Sequence, residues 1–149
     1  MASSLIIRDV VPEDRTRWEP LWEGYNRFYE RTIPAEITNT TWSRFFDAYE
    51  PVHAFVAERD RRLIGLTHYL FHRNTTTIGP TCYLQDLFTA ESARGQGVGR
   101  ALIEAVYERA RIGGASRVYW QTHETNHTAM LLYDRIAERS GFLVYRQSL

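Results

Sequence analysis

Arg94-Gly95-Gln96-Gly97-Val98-Gly99-Arg100 stands between Thr81 to Thr89, which reads as a strand, and a helix predicted from about Val98 to Arg111. Glycines at 95, 97 and 99 let the backbone approach a ligand and take up conformations that side chains forbid. The helix behind them aims its unpaired amides and the positive end of its dipole at the loop. Such a place binds anions, phosphate or pyrophosphate above all. A P-loop needs a Lys followed by Ser or Thr, and this chain has no Lys. A dinucleotide fingerprint counted from Gly95 and Gly97 needs a small residue at position 100, where Arg stands. That fingerprint should also follow a first strand, whereas three or four strands precede this loop. A bare strand-to-helix turn is the alternative to a phosphate site.

Upstream, Leu5 to Arg8 reads as a short strand, ended by the turn-like Val11-Pro12-Glu13-Asp14. From Arg15 to Tyr29 the aromatic and apolar residues Trp18, Leu21, Trp22, Tyr25, Phe28 and Tyr29 recur at three- and four-residue steps, the pattern of one helical face. Pro34 breaks this helix, and a second is predicted from about Thr41 to Tyr49, capped by Asn39 or Thr40. His53 to Arg59 and Leu63 to Phe71 flank Asp60-Arg61-Arg62 as an antiparallel hairpin. Downstream, Gly113-Gly114 stops the helix and Arg117 to Thr122 reads as strand. A last helix is predicted from a cap at Asn126 or Thr125 to about Ser140, then Gly141 and a final strand, Phe142 to Arg146. Residues 1–149 form a single α+β domain in this reading.

Charge and composition exclude little. Lys and Arg together number 18 against 18 Asp and Glu, so no global field favours nucleic acid or an anionic membrane. All the basic residues are Arg, which fits a GC-rich genome or an enzyme that modifies amines and spares itself. One cysteine, Cys82, rules out an internal disulfide and suits a cytoplasmic location. No membrane span or signal-peptide core is expected. His68, His72, Cys82 and His123 lack the spacing of a zinc site, and no metal is expected. Cys82 reads as a small core residue rather than a nucleophile.

The loop, the strand before it, and Asn126, Ala129 and Tyr133 followed by Gly141-Phe142 together resemble the GNAT superfamily of acyl-CoA-dependent N-acyltransferases. Segments Leu84 to Phe88, Val118 to Thr122, Glu124 to His127 and Leu132-Tyr133 look most similar to its small histone, polyamine and D-amino-acid acetyltransferases. The resemblance implies the order β-α-α-β-β-β-α-β-α-β, a mixed, mostly antiparallel sheet of six to seven strands and four flanking helices. It implies acetyl-CoA as co-substrate, no metal, and direct transfer to a primary amine of a polyamine, an amino acid or a protein lysine in a ternary complex. A non-catalytic acyl-CoA-binding or CoA-sensing module is the alternative.

By the same resemblance, amides of Gln96, Gly97, Val98, Gly99 and Arg100 cradle the pyrophosphate with Gly95, and Arg94 adds charge. The pantetheine pairs with the edge of Leu87, Phe88 and Thr89, and an amide at Leu87 or Phe88 faces the oxyanion. Asn126 contacts the pantetheine. Tyr133 stands near the CoA sulfur as general acid. Related polyamine enzymes carry Glu-Asp where this chain has Gln85-Asp86. Gln85 cannot take a proton, and strand alternation sets Asp86 on the opposite face. Asp86 is the candidate base or amine ligand, with a purely structural Asp as the alternative. Trp22, Tyr25, Phe28, Tyr29 and Glu30 line the acceptor pocket if they are not simply core. A homodimer is expected, its C-terminal strand edges covered by the partner.

Overall fold

The computed structural model describes residues 3–149. Its elements are β1 (Ile6–Asp9), α1 (Arg15–Phe28), α2 (Ala35–Arg44), β2 (Val52–Arg59), β3 (Arg62–His72), β4 (Thr81–Thr89), α3 (Val98–Ile112), β5 (Val118–Tyr119) and α4 (His127–Ile136). The strands lie in the order β1-β2-β3-β4-β5, antiparallel up to β4, with β5 parallel to β4. Asp60 and Arg61, at φ 52° and 62°, make the two-residue turn between β2 and β3 whose hand matches strand twist.

Each face of the sheet has its own core. The α1 stripe of Trp18, Leu21, Trp22 and Tyr25 packs with Trp42 of α2 against Val56 and Leu66. On the other face Leu102, Ile103 and Val106 of α3 cover Phe55, Tyr69, Cys82 and Leu84, and Leu132, Tyr133 and Ile136 of α4 join them. The Tyr107 hydroxyl of α3 ties α4 down by donating to the Ile136 carbonyl at 2.9 Å. Between β1 and α1, buried Asp14 accepts from Arg8, from Arg17 and from the Val11 amide, all within 2.9 Å. These guanidiniums and the amide hold its carboxyl below the usual range against the opposing effect of burial. Among the described residues no helix is long and apolar enough to cross a membrane.

Four expectations need correction. The second helix starts at Ala35, directly after Pro34, rather than near Thr41. Proline belongs at a helix start, and Trp42 and Thr38 are the residues that α2 buries. The last helix stops at Ile136 instead of about Ser140, because Ile136 is its last apolar residue against the core. Asn126 precedes that helix, but its side chain donates to Thr122 Oγ1 at 3.2 Å and does not cap it. Finally, the described sheet has five strands rather than six or seven. Residues 142–146 are not a strand, and Phe142, Leu143, Val144 and Tyr145 stand exposed. A strand persists only where a neighbour pairs with it, and β5 offers an edge of two residues.

Candidate active site

The glycine loop is built by backbone conformation. Gly95 and Gly97 take φ 76° and 82°, in the left-handed region, and a Cβ on either would meet nothing within 4 Å. The concave side is therefore open to a bulky anion while the path itself requires glycine. Amides of Val98, Gly99 and Arg100 precede the first intrahelical bond of α3, from Ala101 N–H to the Gly97 carbonyl at 3.0 Å. The residues present thus fit a pyrophosphate. Arg94 holds its guanidinium 5.7 Å over the Phe88 ring, its Nε donating to the Thr89 carbonyl at 3.3 Å. Gln96 is braced by Arg59, whose Nη1 donates to its Oε1 at 2.6 Å, and Arg100 pairs with Glu104 at 2.9 Å.

β4 leads from this loop to the chemistry. It pairs with β5 at Cys82–Val118 and Tyr83–Tyr119, and beyond Tyr83 its β5 side is open among the described residues. Tyr69 faces Leu84 across β3 and β4 while His68 faces Asp86, so Gln85 is the extra residue of a β-bulge. The Ala90 amide donates across to the Ile64 carbonyl of β3 at 2.8 Å. Strand alternation counted back from it turns the amides of Leu87 and Thr89 to the open side, and that of Phe88 to β3.

Asp86 is buried beneath α1, whereas Gln85 is exposed. The Asp86 Oδ2 lies 2.9 Å from Nδ1 of His68, whose Nε2 accepts from the Trp18 indole at 3.1 Å. Tyr25 lies near the same carboxylate. Burial first, then the nearby charge of Asp86, push that phenol far above its ordinary range. Trp22 stacks on Tyr25 with centroids 5.7 Å apart and commits its indole N–H to Thr38 at 3.1 Å, so it is a wall of the site. Phe28 and Tyr29 are exposed at the end of α1, followed by Glu30 at φ 55°. Arg31, which the sequence reading passed over, lies 5.4 Å from the Tyr25 ring and 5.1 Å from the Tyr29 ring. Its Nε donates to Asn26 at 2.8 Å.

From the other face, Tyr133 packs edge-on against Trp120 at 5.4 Å. Burial, with Tyr29 close by, pushes its hydroxyl up to about 12. Leu132 beside it comes within 3.8 Å of where a Gly99 Cβ would stand, so α4, α3 and the end of β4 converge. Cys82 is fully buried, and burial alone pushes its thiol up to about 12, which keeps it protonated and inert. His72 bonds the Arg73 carbonyl and Tyr119, and His123 bonds Thr125.

The family model described as the acetyltransferase (GNAT) family matches residues 18–137. The D-amino-acid N-acetyltransferase HPA3 of Saccharomyces cerevisiae is 35% identical over 146 residues, covering 97% of this chain and 91% of that protein. The thialysine N-epsilon-acetyltransferase of Caenorhabditis elegans is 28% identical over 85 residues, 57% of this chain and 52% of its own. In structure, the aminoglycoside N-acetyltransferase AAC(6')-Iy in complex with CoA superposes with a TM-score of 0.86 over 99% of this chain and 97% of that one. At 18% identity that likeness shows the fold. With the family model matched over most of the chain, and a relative 35% identical along nearly all of it, this chain belongs to the acetyltransferase (GNAT) family and is an acetyl-CoA-dependent acyltransferase.

Proposed function

We propose that the enzyme acetylates the primary amine of a small acceptor by direct attack in a ternary complex, and that a free amino acid suits it better than a polyamine or a histone lysine. The observation that carries this reading is the pair of opposite charges around Tyr25: the Asp86 carboxylate, near enough for its charge to raise the phenol, and the Arg31 guanidinium over the ring at 5.4 Å. A zwitterion presents an ammonium and a carboxylate a few ångströms apart, and Arg is built to hold a carboxylate in a two-pronged grip. The D-amino-acid specificity named for the yeast relative supports the same acceptor class.

In this mechanism the glycine loop holds the pyrophosphate through the amides of Gln96 to Arg100, with Arg94 adding charge. The open edge at Leu87 and Thr89 pairs with the pantetheine, and Asn126 contacts its far side. Asp86 takes one proton from the ammonium. The amine nitrogen then bonds to the thioester carbon, and the Leu87 amide stabilises the oxyanion. The C–S bond breaks with its electron pair on sulfur, the thiolate gains a proton, and the second amine proton is lost to solvent. Products are the amide, CoA thiol and a net proton. Magnitudes decide what Tyr133 contributes. A phenol at about 12 stands several units above an ordinary thiol near ~8.5, so complete transfer to the thiolate runs uphill and a strong hydrogen bond does not. Tyr133 therefore stabilises the leaving sulfur chiefly by hydrogen bonding.

The exposed Phe142, Leu143, Val144 and Tyr145, together with a sheet edge left open at β5, support a homodimer in which these residues pair with a partner. A cytoplasmic location accords with the free Cys82. The acceptor is tested by thiol release from acetyl-CoA with D- and L-amino acids, amino-acid amides, spermidine, an aminoglycoside and a histone-tail peptide. Amino acids should give the highest kcat/KM. Arg31→Ala should raise their KM about tenfold or more and leave that of the amides unchanged. Spermidine or the peptide outperforming every amino acid would overturn the acceptor class.

A further inference from the structure

Trp18 is fully buried, and its indole N–H donates to Nε2 of His68. An indole nitrogen can only donate, so Nε2 carries a lone pair and the ring proton of His68 resides on Nδ1. Nδ1–H then donates to Oδ2 of Asp86 at 2.9 Å. The relay is dry: His68 is 2% exposed, with Trp22 and Phe45 ring centroids 5.3 Å and 4.8 Å from its own. With both nitrogens engaged, the imidazole can gain a second proton only by turning an N–H against the Trp18 N–H. That bears on the carboxylate, because an imidazolium at 2.9 Å would favour its anionic form and weaken its hold on an incoming proton.

We infer that Trp18 and His68 are positioning residues: Trp18 locks His68 neutral in its Nδ1–H tautomer, and His68 in turn orients Asp86 and leaves it the pair's only proton acceptor. This rests on the reading of Asp86 as the base. The other groups facing the pair are few. Tyr25 of α1 and Tyr83 of β4 lie within reach of the carboxylate's charge, and Arg31 lies beyond the Tyr25 ring. From α2 and the residue after it come Trp42 against Trp18 and Phe45 against His68, neither of them titratable.

The test combines pH profiles with a measurement on the unmodified protein. Trp18→Phe frees Nε2, so kcat/KM for the amine should gain an acid limb that wild type lacks, with KM for acetyl-CoA unchanged. Adding His68→Asn to that variant should abolish the new limb. Alone, His68→Asn keeps a donor near the Nδ1 position and should stay within about threefold of wild type, whereas His68→Ala should lose about tenfold or more in kcat. A Trp18→Phe profile superimposable on wild type, or His68→Asn as impaired as His68→Ala, would overturn the inference. Should either position fail to tolerate replacement, long-range proton–nitrogen NMR of the wild-type enzyme reads the tautomer directly. The Nδ1–H form is expected, and an Nε2–H form refutes the lock. Asp86→Asn separates the two readings: undiminished turnover removes the base assignment, while the tautomer still answers for the lock.

Discussion

Tyr133 and Asp86 stand at the two ends of the proposed transfer, and their surroundings assign them different work. A hydrogen bond to a developing thiolate is charge-assisted, so Tyr133→Phe should lower kcat about 10- to 150-fold with KM for acetyl-CoA little changed. Because burial carries its hydroxyl up to about 12, no loss of turnover below about pH 10 should come from its ionisation. Steady-state kinetics across pH check both, and an unchanged kcat would remove Tyr133 from the chemistry. Both residues are candidates that the resemblance singles out, but the partner of Asp86 was not legible. Counting from His72 opposite Thr81 pairs His68 with Gln85, and only the bulge moves it to Asp86. One inserted residue on a strand carries no residue-type signature here, since Gln85 is neither glycine nor proline. His68 accordingly looked like a stray metal ligand. Arg31 was invisible for a related reason: its meaning comes from Asn26 and two tyrosine rings one helix turn away.

At the scale of elements, local chemistry made some segments plain and others not. The β4 boundaries and the start of α3 follow from alternation and glycine placement that need no partner, whereas the connection after β2 read as Asp60 to Arg62 and is only Asp60 and Arg61, because β3 already begins at Arg62. The second helix was misplaced because Asn39 and Thr40 suggested a cap, although Pro34 already supplied the start and Trp42 the buried anchor. The glycine loop gives the sharpest prediction at this scale. Gly97→Val puts a β-branched side chain at φ 82°, which the left-handed region tolerates poorly. KM for acetyl-CoA should rise about tenfold or more, with KM for the amine unaffected. Equal effects on both substrates, measured by initial rates, would mean that the loop shapes the whole fold and not the donor site alone. At the end of α1, Glu30 holds the left-handed capping position usually taken by glycine. Glu30→Gly should raise unfolding stability by about 0.5–1 kcal/mol in a denaturant titration. A loss of amine affinity in the same variant would assign Glu30 to the acceptor instead.

The whole molecule is two cores on one sheet, joined by the Asp14 knot between β1, β2 and α1. Arg8 bridges Asp14 and Glu58, and Arg17 reaches both. The folded carboxyl of Asp14 is depressed, so its contribution is present above the unfolded carboxylate range near about 4 and is lost as pH falls through the lower folded value. Asp14→Asn should therefore cost about 2–3 kcal/mol at pH 7, and the gap to wild type should close as pH falls through that lowered value. A pH-independent gap in chemical denaturation would point to packing instead of charge. The C-terminal residues belong to this scale too, since in the proposed homodimer a partner covers them. Light scattering at micromolar concentration should give the mass of a dimer, reduced to a monomer by Leu143→Glu; a wild-type monomer would contradict that arrangement. The central claim, direct transfer to an amine in a ternary complex, is tested most directly by initial rates of thiol release over a grid of acetyl-CoA and amino-acid concentrations. Intersecting double-reciprocal lines, with no thiol released in the absence of acceptor, are the expected result. Parallel lines would demand an acetylated enzyme, for which the buried Cys82 offers no nucleophile, and would contradict the account.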